Sequence, residues 1–243
     1  MRHFRPSRAL ALAIGPAAWL LSGCQTIHDA QLNLPPDIAP MAQRCDIQTE
    51  ANWGSNTYRA CGQALKTVGG TTTTTSGSRW DLGIAGERST EKRVRFRFQF
   101  TSQGDAPQEW QCERLEFERQ QHVARVLWRG HQEGSLTCHA PGAGGEERFI
   151  YDTRYPDRLT WFHGENAQTW RVVPQQQWQG GGQVMTAPAA MGWCAYDEQG
   201  RALGCHDWVS KGGVIWPVAQ TPPIDLKRLS MLALMPQQLW SSP

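Results

Sequence analysis

The sequence predicts a mainly β protein, an antiparallel sandwich or barrel-like meander held by local disulfides and ending in a short helix. Three observations carry that expectation. Val94, Phe96, Phe98 and Phe100 alternate with Arg93, Arg95, Arg97 and Gln99, which gives a strand one apolar and one basic face. Similar short segments follow about every 10 to 13 residues with turn-forming Gly, Pro, Asp and Asn between them, the rhythm of an all-β fold. Near the C-terminus, Leu226, Leu229, Leu232 and Ala233 recur at helical spacing with Lys227 and Arg228 on the other side.

The chain opens with Arg2, Arg5 and Arg8 and no acid, followed by an apolar run from Ala9 to Leu21. Basic head, apolar middle and small-residue exit make a secretory signal. The run is shorter than the ~20 residues a bilayer-crossing helix needs, and Gly15-Pro16 interrupts it. The exit Leu21-Ser22-Gly23-Cys24 resembles the lipobox of bacterial lipoproteins. That resemblance implies cleavage before Cys24, a diacylglyceryl thioether on its sulfur and acylation of its new amino group, with palmitate-type chains holding the protein at a membrane. Gln25 rather than Asp follows the cysteine, which by the same resemblance implies the outer membrane of a Gram-negative cell; the periplasmic face is the expected side.

Removing residues 1–23 leaves 220 residues, enough for one domain or two small ones. It also removes three of 24 basic residues, leaving 21 against 22 acidic ones. No basic excess remains, so nucleic acid is excluded as the expected partner. Of seven cysteines, lipidation takes Cys24 and leaves an even six, which in an oxidising compartment reads as three disulfides. Fifteen connectivities are open, and the spacing favours the neighbours Cys45–Cys61, Cys112–Cys138 and Cys194–Cys205. A zinc site is disfavoured because no Cys-x2-Cys or His-x3-His spacing occurs.

Residues 1–23 are thus expected as a signal peptide and 24–44, with Pro35-Pro36 and Pro40, as a flexible tether. Residues 45–78 form a small disulfide-looped segment, with a short helix over Ala60–Val68 and a low-complexity loop from Thr71 to Ser78. Residues 79–182 form the main antiparallel β domain. Its second strand, Glu109–Glu118, changes apolar phase from Trp110 and Cys112 to Leu115 and Phe117, which predicts a bulge near Glu113-Arg114. Further strands are expected at His122–Trp128, Gly134–His139, Arg148–Thr153, Arg158–His163 and Thr169–Val173, with turns at Arg129-Gly130, Pro141–Gly145, Pro156-Asp157 and Gly164–Asn166. In residues 183–243 a hairpin over Met191–His206 turns at Asp197–Gly200, Val214–Val218 is a strand, and a helix enters after Pro223 to cover one edge or end of the sheet. Charges on both strand faces, as at Glu116, Glu118, Arg125 and Arg129, argue against a membrane-spanning barrel.

No nucleophile elbow, His-Glu-x-x-His, phosphate loop or dinucleotide fingerprint is present, so no enzyme class and no cofactor or metal is expected. His139 and His206 each follow a cysteine, but nothing in their spacing makes them converge on a metal. Cys205-His206-Asp207 suggests a triad, yet successive strand residues face opposite ways. Glu116, Glu118, Asp152 and Asp157 read as solvated charges rather than a hydrolytic pair. Twelve tryptophans, eleven of them after the signal, read mainly as core, with Trp178 among glutamines as the exposed exception. The expected role is that of an outer-membrane-anchored accessory or scaffold subunit of an envelope assembly. Arg93, Arg95, Arg97 and Trp178 are its candidate contacts with an envelope protein. The alternative is a module binding glycan, peptidoglycan or a small apolar ligand in a Trp-lined hollow, and an envelope hydrolase ranks below both.

Overall fold

The computed structural model describes residues 30–52, 55–81, 85–123, 126–142, 145–209 and 213–235. The signal segment, Cys24 with its lipobox, Trp53 and Pro236 lie outside the described residues. The remainder is dominated by one antiparallel sheet of thirteen strands curled into a nearly closed barrel.

The strands run as a meander through β3 (Gln48–Asn52), β4 (Ser55–Ala60), β5 (Gln63–Asp81), β6 (Ala85–Thr101), β7 (Gln108–Val123), β8 (Val126–Gly142), β9 (Gly145–Asp152), β10 (Arg158–His163) and β11 (Asn166–Gln175). The sheet continues through β14 (Gly192–Tyr196), β15 (Ala202–Asp207) and β16 (Val214–Pro217) to β2 (Cys45–Asp46). Its two outermost strands, β2 and β3, are separated along the chain only by Ile47. One bent segment therefore pairs with β16 through its first half and with β4 through its second, bringing the two ends of the sheet together. The Cys45–Cys61 disulfide spans this seam, tying β2 to the turn after β4.

Inward-facing side chains follow the period-two rule. Leu65, Phe98, Phe100, Trp110, Leu136, Phe149, Leu159, Trp161 and Trp170 fill the interior. Rings from Phe98 through Trp110, Phe149 and Trp161 to Trp170 pack in succession at centroid separations of 6.1, 6.0, 4.9 and 5.6 Å. Helix α1 (Pro223–Leu234) enters this space from one end, and Leu229, Met231, Leu232, Ala233, Leu234 and Met235 are all buried against it. The helix is a plug, with Pro223 as its first residue rather than just ahead of it. Lys227 and Arg228 do not form a plain solvent face. Arg228 lies 5.1 Å over the Trp161 ring and donates to Gln168 Oε1 at 2.7 Å.

The expected tether is, from Ala30 onward, a packed strap. Leu32 and Ile38 are buried on the outer surface of β14–β16 beside the Cys194–Cys205 disulfide, Tyr196, Val214 and Trp216. The Leu32 N–H donates to the buried Asp207 Oδ2 at 2.9 Å. Strand β1 (Gln31–Leu32) pairs with β12 (Gln177–Gly180), which pairs with β13 (Gln183–Thr186), so the strap carries its own small sheet. Tight turns and Pro residues there place apolar anchors on the barrel wall rather than in solvent.

Four local expectations are corrected. Ala60–Val68 is not helical, because Gln63 onward is β5 and Leu65 points into the barrel. The Thr71–Ser78 stretch belongs to the same strand, paired residue by residue with β6, so the boundary placed after residue 78 falls inside one strand. β-branched threonine suits a strand even where it has nothing to bury. The reversal expected at Arg129-Gly130 lies instead between Val123 and Val126, which pair with each other, and places the expected strand His122–Trp128 across a hairpin end. The bulge near Glu113-Arg114 is absent, since β6 and β7 keep one register from Phe100 to Ala85. Irregularities occur at Thr67/Gly69 and Glu118/Gln120.

Candidate functional site

Strands β5 to β8 are 16 to 19 residues long, against 6 to 10 for β9 to β11. Strand β4 leaves β5 after Thr57↔Lys66, and β9 leaves β8 after Ser135↔Asp152. Beyond those points the four long strands pair only with one another among the described residues. At about 3.4 Å per residue they form an arm that reaches roughly 30 Å past the barrel core.

The face that continues the barrel interior loses its apolar character where the arm begins. After Phe96 and Cys112 come Val94 and Arg114, then Lys92 and Glu116. Glu116 is held by Arg114 and, at 3.4 Å, by Lys92 Nζ. None of residues 86–93 on β6 and 115–121 on β7 is buried.

The outer face of the arm holds the three candidate arginines, and the structure neutralises them. Arg95 Nε meets Glu113 Oε2 at 2.6 Å, Arg97 Nη1 meets Glu109 Oε1 at 3.6 Å, and Arg93 Nη2 meets Glu91 Oε1 at 3.3 Å. Arg119 and Glu87 continue this ladder at 2.7 Å. The basic face read from Arg93, Arg95 and Arg97 is therefore a zwitterionic face, because Glu109 and Glu113 on β7 and Glu91 on β6 itself supply the counter-charges. Exposed pairs of this kind stabilise by only about 0.2–1 kcal/mol each, so they shape the surface more than they hold the fold.

Within this charged face, Leu115 and the exposed Phe117 stand side by side in register with Arg93 and Glu91. They line a hollow of about 340 Å³ with Ser135, Glu133, Asp152 and Arg154. Asp152 takes a bidentate bond from Arg154, and that hydrogen bond holds its carboxyl below the usual range. A second, open hollow of about 720 Å³ adjoins Arg95, Arg97, Gln111, Glu113, Thr137 and His139. The phase change at Leu115 and Phe117 was thus the sequence signal for an apolar island on the outer surface, not for a bulge.

A different cavity opens into the barrel wall beside the plug. Tyr151, Val172, Pro174, Trp193, Trp208 and Leu232 line about 180 Å³ of almost wholly apolar space. Its aromatic wall is fixed by His206, whose Nδ1 accepts from Trp208 Nε1 at 3.0 Å and whose ring stands edge-on to Trp193. Burial pushes His206 down to about 3, so at neutral pH it is an uncharged acceptor. Burial, aided by Asp157, raises the Tyr151 phenol and keeps it protonated.

Trp178 is half-buried in the small sheet, opposite Leu32 and Met185, and is not an exposed platform. Trp110, Trp161, Trp170 and Trp193 are interior. Cys205 is oxidised on the outer face, His206 points inward, and Asp207 accepts from the N–H groups of Leu32 and Val209, so the three form no triad. His139 sits on the outer face with its Nδ1 2.9 Å from Glu146, remote in orientation from His206. Glu116 and Asp152 lie on opposite faces of the sheet, each with its own cation. Cys45, Cys61, Cys112, Cys138, Cys194 and Cys205 form the three neighbouring disulfides that spacing favoured, the last two between residues directly paired across adjacent strands. No family model matches this chain, and no curated protein or solved structure matches it either.

Proposed function

We propose that this protein is a membrane-tethered accessory subunit of a bacterial envelope assembly, using the outer face of its β5–β8 arm to dock a protein partner. The observation that carries the reading is the Leu115–Phe117 island, a half-buried leucine beside an exposed phenylalanine in a face of matched charges on a limb outside the barrel core. A buried aromatic anchor ringed by polar groups is the common energetic pattern of protein interfaces. Arg93, Arg95 and Arg97, with Glu109 and Glu113, set the orientation of the partner and the rate of encounter. The tether is the Cys24 lipid, which keeps the arm at the outer membrane on its periplasmic side.

The test is a photo-crosslinking residue placed at Phe117 or Arg95 in cells, with an insertion at Glu198 in the turn after β14 as the control. A discrete adduct from the arm positions, absent from the control, with the Arg95 adduct lost when Phe117→Asp is added, supports the reading. Equal labelling from all three sites overturns it. The anchor is checked separately, because Cys24→Ala should move the protein from the membrane to the soluble fraction.

A second reading rests on the apolar cavity beside Trp193 and Trp208. Its roughly 180 Å³ would accept one aromatic ring or a short acyl segment. Quenching or blue-shifted tryptophan emission on titration with such compounds would favour ligand binding over docking.

A further inference from the structure

We infer that the free edge of β5 pairs with the same edge of a second copy of this chain, joining two arms into one continuous eight-stranded sheet. On its inner side β5 is fully paired with β6 from Ala64 to Asp81 apart from the bulge at Val68. On its outer side β4 pairs only with Gln63 to Lys66, and Thr67 uses its hydroxyl to finish that contact at Asn56. From Gly69 onward no strand among the described residues covers this side, and Thr71 to Ser78 are all exposed. Alternate residues there present a backbone N–H and C=O without a strand partner, the arrangement that accepts another strand.

Edges that natural proteins keep unpaired carry lysine, proline, an inward charge or a bulge. Gly70 to Ser78 carries no charge and no proline over nine residues, and its bulge lies before the stretch rather than within it. Its threonines favour extended backbone. These features make the edge adhesive, and its composition selects the occupant. A two-fold axis through Thr74 places Thr73 opposite Thr75, Thr72 opposite Ser76 and Thr71 opposite Gly77. No position meets a like charge, and Thr–Thr and Thr–Ser pairs across antiparallel strands are stabilising. An isologous contact of this kind closes on itself as a dimer. The opposite edge of the arm, β8, contains Arg129 and Glu133 and has no such symmetry. The inference uses only the arm's geometry and leaves its outer face free for the docking proposed above.

Single-cysteine substitution on the exposed edge reads the register directly. In the full chain isolated from membranes under mild oxidation, Thr74→Cys sits on the axis and should give a disulfide-linked species of twice the monomer mass. Thr71→Cys should give little, because its two copies are offset by six residues, roughly 20 Å along the strands. Thr74→Lys, which sets two ammonium groups together on the axis, should abolish dimers captured by a lysine-independent crosslinker. Failure of Thr74→Cys to crosslink overturns the inference, as does equal crosslinking of both cysteines or a ladder of higher oligomers. A Thr74→Cys adduct with a different protein overturns it too, while the Phe117 crosslink reports the outer-face reading independently.

Discussion

Substituting His206 by Asn should remove a distinct part of the protein's acid sensitivity. His206 is buried between Trp193 and Trp208, and its folded-state pKa of about 3 lies well below the ordinary 6.5. The folded form therefore binds its proton only below about pH 3, whereas the unfolded chain binds one through pH 6.5. Between those values the unfolded state holds more protons, so stability falls as pH falls. The loss from this group is near zero at pH 8, about 2 kcal/mol at pH 5 and about 3 kcal/mol at pH 4, approaching ~5 kcal/mol below pH 3. The Asn Oδ1 can take the place of Nδ1 as acceptor for the Trp208 indole N–H, keeping the one hydrogen bond that burial demands. Urea unfolding followed by tryptophan fluorescence at pH 8, 6, 5 and 4 gives the comparison. The two proteins should converge as pH falls, with the Asn variant losing about 2 kcal/mol less between pH 8 and pH 5. Parallel pH profiles would show that His206 is not held neutral by burial, and the reasoning would fail.

Converting Cys45 and Cys61 together to Ser opens the seam between β2 and the β4–β5 turn, and loop entropy for a separation of 16 residues sets the cost at about 3 kcal/mol. Calorimetry should show it as a lowered Tm with disulfides Cys112–Cys138 and Cys194–Cys205 intact by peptide mapping. Gly204→Ala should be worse than an ordinary glycine replacement. With φ at +155°, its Cβ would lie 2.5 Å from the Trp216 carbonyl oxygen and 2.6 Å from Leu229 Cδ2, so the backbone of β15 or β16 must shift and the Leu229 side chain must give way. A loss above about 2 kcal/mol is expected in urea, and a neutral result would mean that β15 and β16 do not approach this closely at Gly204. By contrast, an Arg95→Ala and Glu113→Ala double-mutant cycle should give a coupling of at most about 1 kcal/mol that fades with salt.

The barrel was legible in the sequence where one face of a strand is buried and the other is not. Val94 to Phe100 announces its inward face, and the hairpin over Met191–His206 is marked by a turn and two cysteines that become direct neighbours. The plug helix was legible from its spacing, because a helix inserted into a barrel still needs an apolar stripe. What was hidden is the strap, whose anchors Leu32 and Ile38 are too few to form a period. The closure through Cys45–Asn52 was hidden as well, since pairing between the first and last strands leaves no local trace.

The arm was misread for a reason that bears on what it does. Strand prediction rests on alternation, and alternation records a core on one side. Past Val94 and Arg114 no side chain of β5–β7 whose burial is described is buried, so the threonine run reads as a loop and Leu115 with Phe117 reads as a slipped strand. The backbone ladder continues regardless, because four long strands with β-branched or cross-paired side chains satisfy one another's N–H and C=O groups. Packing against the barrel core explains neither Phe117 on one face nor the uncharged run from Gly70 to Ser78 on one edge. Those two departures from a plain solvated limb concern different surfaces, the face and the β5 edge. They fit together if the edge builds a paired arm and the face presents it, a division of labour that the Phe117 and Thr74 crosslinks separate.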